Sequence, residues 1–286
     1  MDMTDAGSAE GRGADAADLT FWFGCNMTRH GEIVRLTMRL LEAVGITAEA
    51  SGGPATCCGS PKEPSAAINA GMAARTVQEF NSRATPQVAT WCPSCHMNMQ
   101  DFMAPATPTN FETLHITEVL HAKRDLLRPL LTHAVPARVL LHQHIGFDGR
   151  VPVNRMVADL LALIPGVTVL EQKPLPGHMC FGFQSIPGAL EKAQRETLGA
   201  MAAVQANTLC TIFHSCHREG VNLERNNPIQ VKNWVHLLAE AAGWDHHDDY
   251  KAWRNGGVVP DAAQQAAGDA VFERLVAPEL AKAPLA

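Results

Sequence analysis

The chain repeats itself, and the repeat decides what it can fold into. Cys57-Cys58-Gly59 is matched by Cys180-Phe181-Gly182 at an offset of 123, and Cys92-Pro93-Ser94-Cys95-His96 by Phe213-His214-Ser215-Cys216-His217 at an offset of 121. An apolar segment follows each, 114–120 in the first case and 231–238 in the second. Two nearly constant offsets with matching surroundings imply one unit used twice. The boundary falls near 131–139. The expected plan is an acidic, Gly/Ala-rich tail at 1–19, a first domain at 20–134, a second at 135–243 and a peripheral segment at 244–286. A chain of 286 residues divides into two domains of ordinary size on this plan.

Within each copy the apolar periodicity alternates. The first reads as strand 19–24, helix 32–45 (Ile33, Leu36, Leu40, Leu41 and Val44 at helical spacing), strand 46–50, helix 66–84, strand 88–91 and helix 116–131. The second reads as strands 138–141, 167–170 and 208–213 with helices 189–206 and 231–242. Strands alternating with helices of this length predict an α/β fold of two pseudo-symmetric domains, each a small, mostly parallel sheet flanked by helices. Ligands of such sheets collect beyond the carboxyl ends of the strands. Cys25, Cys92 and the Phe213/Cys216 pair stand just past predicted strand ends.

Charge narrows the partners. The formal net charge is -6 with no long basic run, which argues against nucleic acid or an anionic membrane surface. Apolar stretches stop well short of the ~20 residues of a membrane span. The chain start lacks the basic and apolar regions of a secretory signal, so the expected compartment is a reducing cytoplasm. Eight cysteines in that setting read as metal ligands or redox groups before disulfides. No glycine-rich phosphate loop follows a strand, so no flavin or nicotinamide site is expected.

Five of those cysteines occupy the first copy: Cys25, the pair Cys57-Cys58, and Cys92-x-x-Cys95. Thiolate is the ligand of soft metals and iron–sulfur clusters. Five thiolates in one place are one too many for a tetrahedral zinc. Adjacent cysteines are awkward ligands for a single ion, because neighbouring side chains of an extended segment diverge. A multi-iron cluster removes both difficulties, since each sulfur can take a different iron, whereas a structural zinc would use four thiols. Gly24, Gly59 and Pro93 allow tight turns there.

The pattern Cys-x31-Cys-Cys-Gly-x32-Cys-x-x-Cys-His over these residues resembles the cysteine-rich "CCG" domain, the hallmark of the cluster-bearing component of heterodisulfide reductase and of related oxidoreductases. The likeness extends over 20–242. It implies two small α/β copies related by a pseudo-twofold, and a non-cubane [4Fe-4S] cluster held by Cys25, Cys57, Cys58, Cys92 and Cys95. It also implies an oxidoreductase acting on sulfur groups within a complex. Bacterial sulfur-oxidising relatives of this kind work with a flavoprotein, a ferredoxin-like protein and lipoate-carrying proteins.

The second copy departs from the pattern. Ile145 stands where the lone cysteine belongs, Phe181 replaces the second cysteine of the pair, and Phe213 replaces the first of Cys-x-x-Cys. Cys180 and Cys216 remain, with Cys210 displaced. Two thiolates cannot hold a five-ligand cluster, so no second cluster is expected. Three readings stay open. His144, Cys180, His214 and Cys216 form a Cys2His2 set suited to zinc. Alternatively, Cys180 or Cys216 is a redox thiol. Or the site has decayed, with Phe181 and Phe213 filling it. Relay of electrons without a substrate, or a zinc scaffold, are the corresponding alternatives for the whole chain.

Lesser features have plainer expectations. Met97, Met99 and Met103 read as soft packing beside the cysteines, and Trp91 as core. Arg29 and His30 face either an anionic substrate or solvent at a helix start. His246-His247-Asp248-Asp249 reads as a solvated tail or a weak adventitious metal site.

Overall fold

The computed structural model describes residues 17–59, 65–171, 175 and 186–256. The chain forms two parallel four-stranded sheets of the same topology. Strands β1 (Leu19–Gly24), β2 (Ala48–Gly52), β3 (Gln87–Thr90) and β4 (Glu112–His115) lie in the order β2-β1-β3-β4. Strands β5 (Ala137–His142), β6 (Val167–Val169), β7 (Thr208–Thr211) and β8 (Gln230–Asn233) lie in the order β6-β5-β7-β8. All six strand pairs are parallel. The duplicated α/β plan expected from the repeat is the plan observed.

Helices carry each crossover. Helix α1 (Gly31–Ala43) buries Ile33, Leu36, Leu40 and Leu41 along one stripe, and Gly45 at φ 77° stops it in the left-handed conformation that glycine adopts freely. Helix α2 (Ala66–Arg83) starts at Ser65, whose hydroxyl accepts from the Ile68 N–H at 3.4 Å. Helix α3 (Pro93–Asn98) follows β3 with proline in its first turn. Next come α4 (Ile116–Ala122), α5 (Val153–Leu161), α6 (Ala189–Ala203), α7 (His214–Gly220), α8 (Trp234–Ala241) and α9 (Asp249–Gly256).

The structure corrects several expected elements. Residues 231–233, expected to open a helix, are part of the edge strand β8, and β4 was not anticipated at all. Each is four residues long and runs directly into a helix, so its apolar residues prolong the helical pattern. The switch is made by the N-caps His115 and Asn233, which accept from the N–H of Thr117 and Val235. The expected helix 116–131 breaks into α4, a short helix at Arg124–Leu127 and a 3-10 turn at Arg128–Leu130 containing Pro129. Helix α5 was unforeseen.

The copies share one hydrophobic core. The indoles of Trp91 and Trp234, one from each copy, stack with centroids 5.9 Å apart and planes at 9°. Asp101 of the first copy binds Arg150 of the second with two hydrogen bonds, 2.7 and 2.8 Å. Residues 1–16 of the expected tail lie outside the described residues, whereas Leu19 is already buried in β1. The segment after Gly243 is not wholly peripheral: Asp248 and Tyr250 are buried against the second copy. Among the described residues no helix is long and apolar enough to cross a membrane.

Candidate metal centre

The five cysteines of the first copy converge at the carboxyl edge of its sheet. Cys25 follows β1 directly, Cys57 and Cys58 follow β2 through a 3-10 turn (Pro54–Thr56), and Cys92 lies two residues past β3 with Cys95 on α3. The Cys25 and Cys57 sulfurs are 3.4 Å apart and those of Cys58 and Cys95 are 3.7 Å apart. The Cys95 thiol donates in turn to Cys92, closing a chain of contacts through all five. Five sulfurs are one ligand more than a tetrahedral zinc takes.

The peptide chain is shaped for this gathering. Gly24 has φ 78°, and a Cβ there would sit 3.2 Å from Cys95 Sγ. Only glycine both adopts that backbone and leaves room for the sulfur. Three successive carbonyls across the vicinal pair are each held by a buried side chain. Trp22 Nε1–H donates to Thr56 O (2.9 Å), the Thr76 hydroxyl to Cys57 O (3.1 Å) and Asn98 Nδ2–H to Cys58 O (2.7 Å). His115 Nε2–H donates to Trp91 O at 3.0 Å, immediately before Cys92. Sequence reading missed Trp22, Thr76, Asn98 and His115, because their partners are backbone atoms of distant segments.

Electrostatics divides the thiols. Cys92 is brought down to about 7, chiefly by the hydrogen bond from the Cys95 thiol, helped by Ser94 and the first N–H groups of α3. Burial pushes Cys57 up to about 11, despite a hydrogen bond from the Gly59 N–H. The one Cys95 S–H, shared between the sulfurs of Cys58 and Cys92, is held well above the ordinary thiol range. Crowded thiols that resist ionising together are stabilised by a cation or cluster among them. Met99 and Met103 pack fully buried against Cys58 and Cys95, as expected, and Met99–Met103 forms one turn of π-helix.

The second copy keeps the frame and loses the ligands. Trp22 pairs with Thr90 across β1 and β3, and His142 pairs with Thr211 across β5 and β7. This register places Ile145 opposite Cys25, Phe213 opposite Cys92 and Cys216 opposite Cys95. Ile145 is half-exposed, while Phe213 is buried with its ring 5.0 Å from His144, 5.6 Å from His115 and 6.0 Å from Phe147. Cys216 is buried in the shared core, and burial pushes the displaced Cys210 thiol far up. Burial lowers the His144 imidazole, with Cys216 close enough to oppose that shift. Cys180 and Phe181 lie outside the described residues. Among the described residues, His144, His214 and Cys216 do not bring three ligand atoms within 4.8 Å. The group that does is His217, His236 and Asp248, which sequence reading did not single out as a set.

Two smaller expectations change. Arg29 is exposed, but His30 is buried, with Nδ1 3.7 Å from Glu32 and its ring 4.5 Å from Tyr250. His247 remains exposed beside Asp249, whereas Asp248 turns inward onto His217 at 2.7 Å.

A search of curated proteins finds no match. Solved structures align at low identity. Aspartate racemase of Picrophilus torridus is 11% identical over 82% of this chain and 99% of its own, with a TM-score of 0.36. Allantoin racemase of Pseudomonas fluorescens is 12% identical over 79% and 89%, with a TM-score of 0.30. Superpositions this loose carry no argument about chemistry. Residues 19–100, which hold all five converging thiols and are thereby suited to a metal or an iron–sulfur group, match the family model CCG, a cysteine-rich domain.

Proposed function

We propose that Cys25, Cys57, Cys58, Cys92 and Cys95 hold one non-cubane [4Fe-4S] cluster. On this reading the chain is the iron–sulfur redox component of a heterodisulfide-reductase-like complex, acting on a thiol/disulfide pair or a persulfide. The observation that carries the reading is the meeting of five thiols at one sheet edge, one more than a tetrahedral ion takes. When bound, such a group supplies one-electron redox steps close to sulfur. The chain's own residues do the rest. Trp22, Thr76 and Asn98 fix the vicinal pair, His115 fixes the Cys92 loop, and N–H groups of Gly59, Ser94 and Cys95 tune the sulfurs.

Cleaving a disulfide to two thiols consumes two electrons and two protons. The second copy has Phe213 where a matching thiol would stand, so the electrons enter singly, from a ferredoxin-like protein, with a flavoprotein and a lipoate-carrying protein completing the cytoplasmic complex. A filled second pocket equally favours a relay without its own substrate. Anaerobic purification tests both. About four irons per chain are expected, together with cluster signals that change on adding a disulfide or persulfide. Signals indifferent to both would favour the relay. Stoichiometric zinc bound by these cysteines in place of iron would overturn the reading.

A further inference from the structure

At the seam between the copies lies a buried cluster of imidazoles and carboxylates that the cysteine pocket does not use. His217 and His236 are 0% and 1% exposed, and Asp248 is 7% exposed. His217 Nε2 is 2.7 Å from Asp248 Oδ2, and His236 Nδ1 is 3.8 Å from the same oxygen. Ligand atoms around a tetrahedral zinc stand ~3.3 Å apart, within the span of these two distances.

The hydrogen bonds locate the ring nitrogens. The Thr211 hydroxyl contacts His217 Nδ1 at 3.3 Å. Across the ring, His217 Nε2 is hydrogen-bonded to Asp248 Oδ2 at 2.7 Å, and a metal ion held between them would take the place of that proton. His236 Nδ1 accepts from the Asn233 N–H across a long 3.3 Å contact, with its hydrogen on Nε2, and would exchange that cap contact for the metal ion. Two imidazole nitrogens and a carboxylate oxygen converge on one buried point, a donor set that suits a metal cation.

Each of the three groups also has an outer partner. Thr211 backs His217, the Lys251 N–H donates to Asp248 Oδ1 at 2.9 Å, and Glu32 Oε1 lies 4.0 Å from His236 Nε2. Carboxylate or hydroxyl behind imidazole is the support that metal-ligating histidines receive. Glu32 is an independent pointer. It is 2% exposed, and Glu32 Oε1, His236 Nε2 and His30 Nδ1 are buried without a hydrogen-bond partner. The cation is not the nearby lysine, since Lys251 Nζ is engaged by Glu224 at 3.0 Å and Val231 O at 2.9 Å. A divalent ion on Asp248 would balance both carboxylates.

We propose that His217 Nε2, His236 Nδ1 and Asp248 bind one divalent transition-metal ion of the zinc class, leaving a fourth position open and placing Glu32 of the first copy behind His236. The site is independent of the cysteines. Its test uses full-length, iron-loaded protein dialysed with zinc chloride and then against zinc-free buffer. One zinc per chain is expected in the wild type and none in His236→Gln or Asp248→Asn, with iron and circular dichroism unchanged. Glutamine at this first-turn position preserves the helix cap. Cys58→Ser is expected to lose iron yet retain that zinc, which separates this site from the cysteine pocket. X-ray absorption of the wild-type zinc provides a reading that needs no variant: nitrogen and oxygen neighbours at about 2.0–2.1 Å are expected. A sulfur shell, retention of zinc by both variants, or no zinc in the wild type would overturn the proposal and leave a proton as the buried cation.

Discussion

The ends of β3 and β7 differ by little more than their thiols. In both, a threonine closes the strand and contacts a histidine on the following helix: Thr90 with His96 at 2.9 Å, Thr211 with His217 at 3.3 Å. Both threonines also donate to a carbonyl of the next strand, Leu114 O at 3.2 Å and Lys232 O at 3.4 Å. Two residues on, one copy has Cys92 and the other Phe213. The hydrogen-bonded frame of the strand end is thus separable from the ligands it presents. One copy uses the frame to aim sulfur at a common pocket, and the other uses it to seat an aromatic ring. The histidines diverge as well. His96 is lowered to about 4 by burial, with Arg150 adding to the effect, whereas His217 meets Asp248.

The sharpest way to break this contrast is to remove one thiol from each copy. Cys58→Ser should strip most of the bound iron, whereas Cys216→Ser should leave iron content at the wild-type level; equal losses would abolish the distinction between copies. Next in size, Phe213→Ala opens a void in the shared core and should cost ~3–5 kcal/mol in urea denaturation, with iron retained. If stability barely changes, the ring is not filling the second pocket. Gly24→Ala should cost about 1–2 kcal/mol for its left-handed backbone and lower iron occupancy through the clash with Cys95. Alanine at Gly149, which has open space around it, is the control. Thr76→Val removes one carbonyl clamp of the vicinal pair and should cost about 1 kcal/mol.

Titration sharpens the comparison within the first pocket without a mutation. In the metal-free chain, alkylation of Cys92 should rise with a midpoint near pH 7 and that of Cys57 only near pH 11, read by peptide mass spectrometry. Cys92 is lowered on folding, so the stability its thiolate lends is present above the ordinary value of 9.0 and lost as pH falls through about 7. Cys57 is raised, so its contribution is present below 9.0 and lost as pH rises through about 11. Matching alkylation midpoints for the two would remove the division.

The sequence made the repeat, the parallel sheets and the five converging thiols legible, because strand periodicity and cysteine spacing are local signals. The edge strands β4 and β8 were hidden, since four residues abutting an apolar helix carry no period of their own. The carbonyl clamps were hidden because Trp22, Thr76 and Asn98 bind backbone, which no residue pattern records. The set His217, His236 and Asp248 draws on three segments, with Glu32 from a fourth, and only the folded chain brings them to one point. Asp248 sat in a run of histidines and aspartates whose composition resembles a solvated tail.

The paired indoles of Trp91 and Trp234 have a consequence for how such a duplicated chain can change. Each flat face is the other's dry neighbour, so a fragment ending after the first copy would present a bare tryptophan to water one position before Cys92. The second copy therefore has a structural task that needs no sulfur ligand: it is the wall against which the first copy is braced.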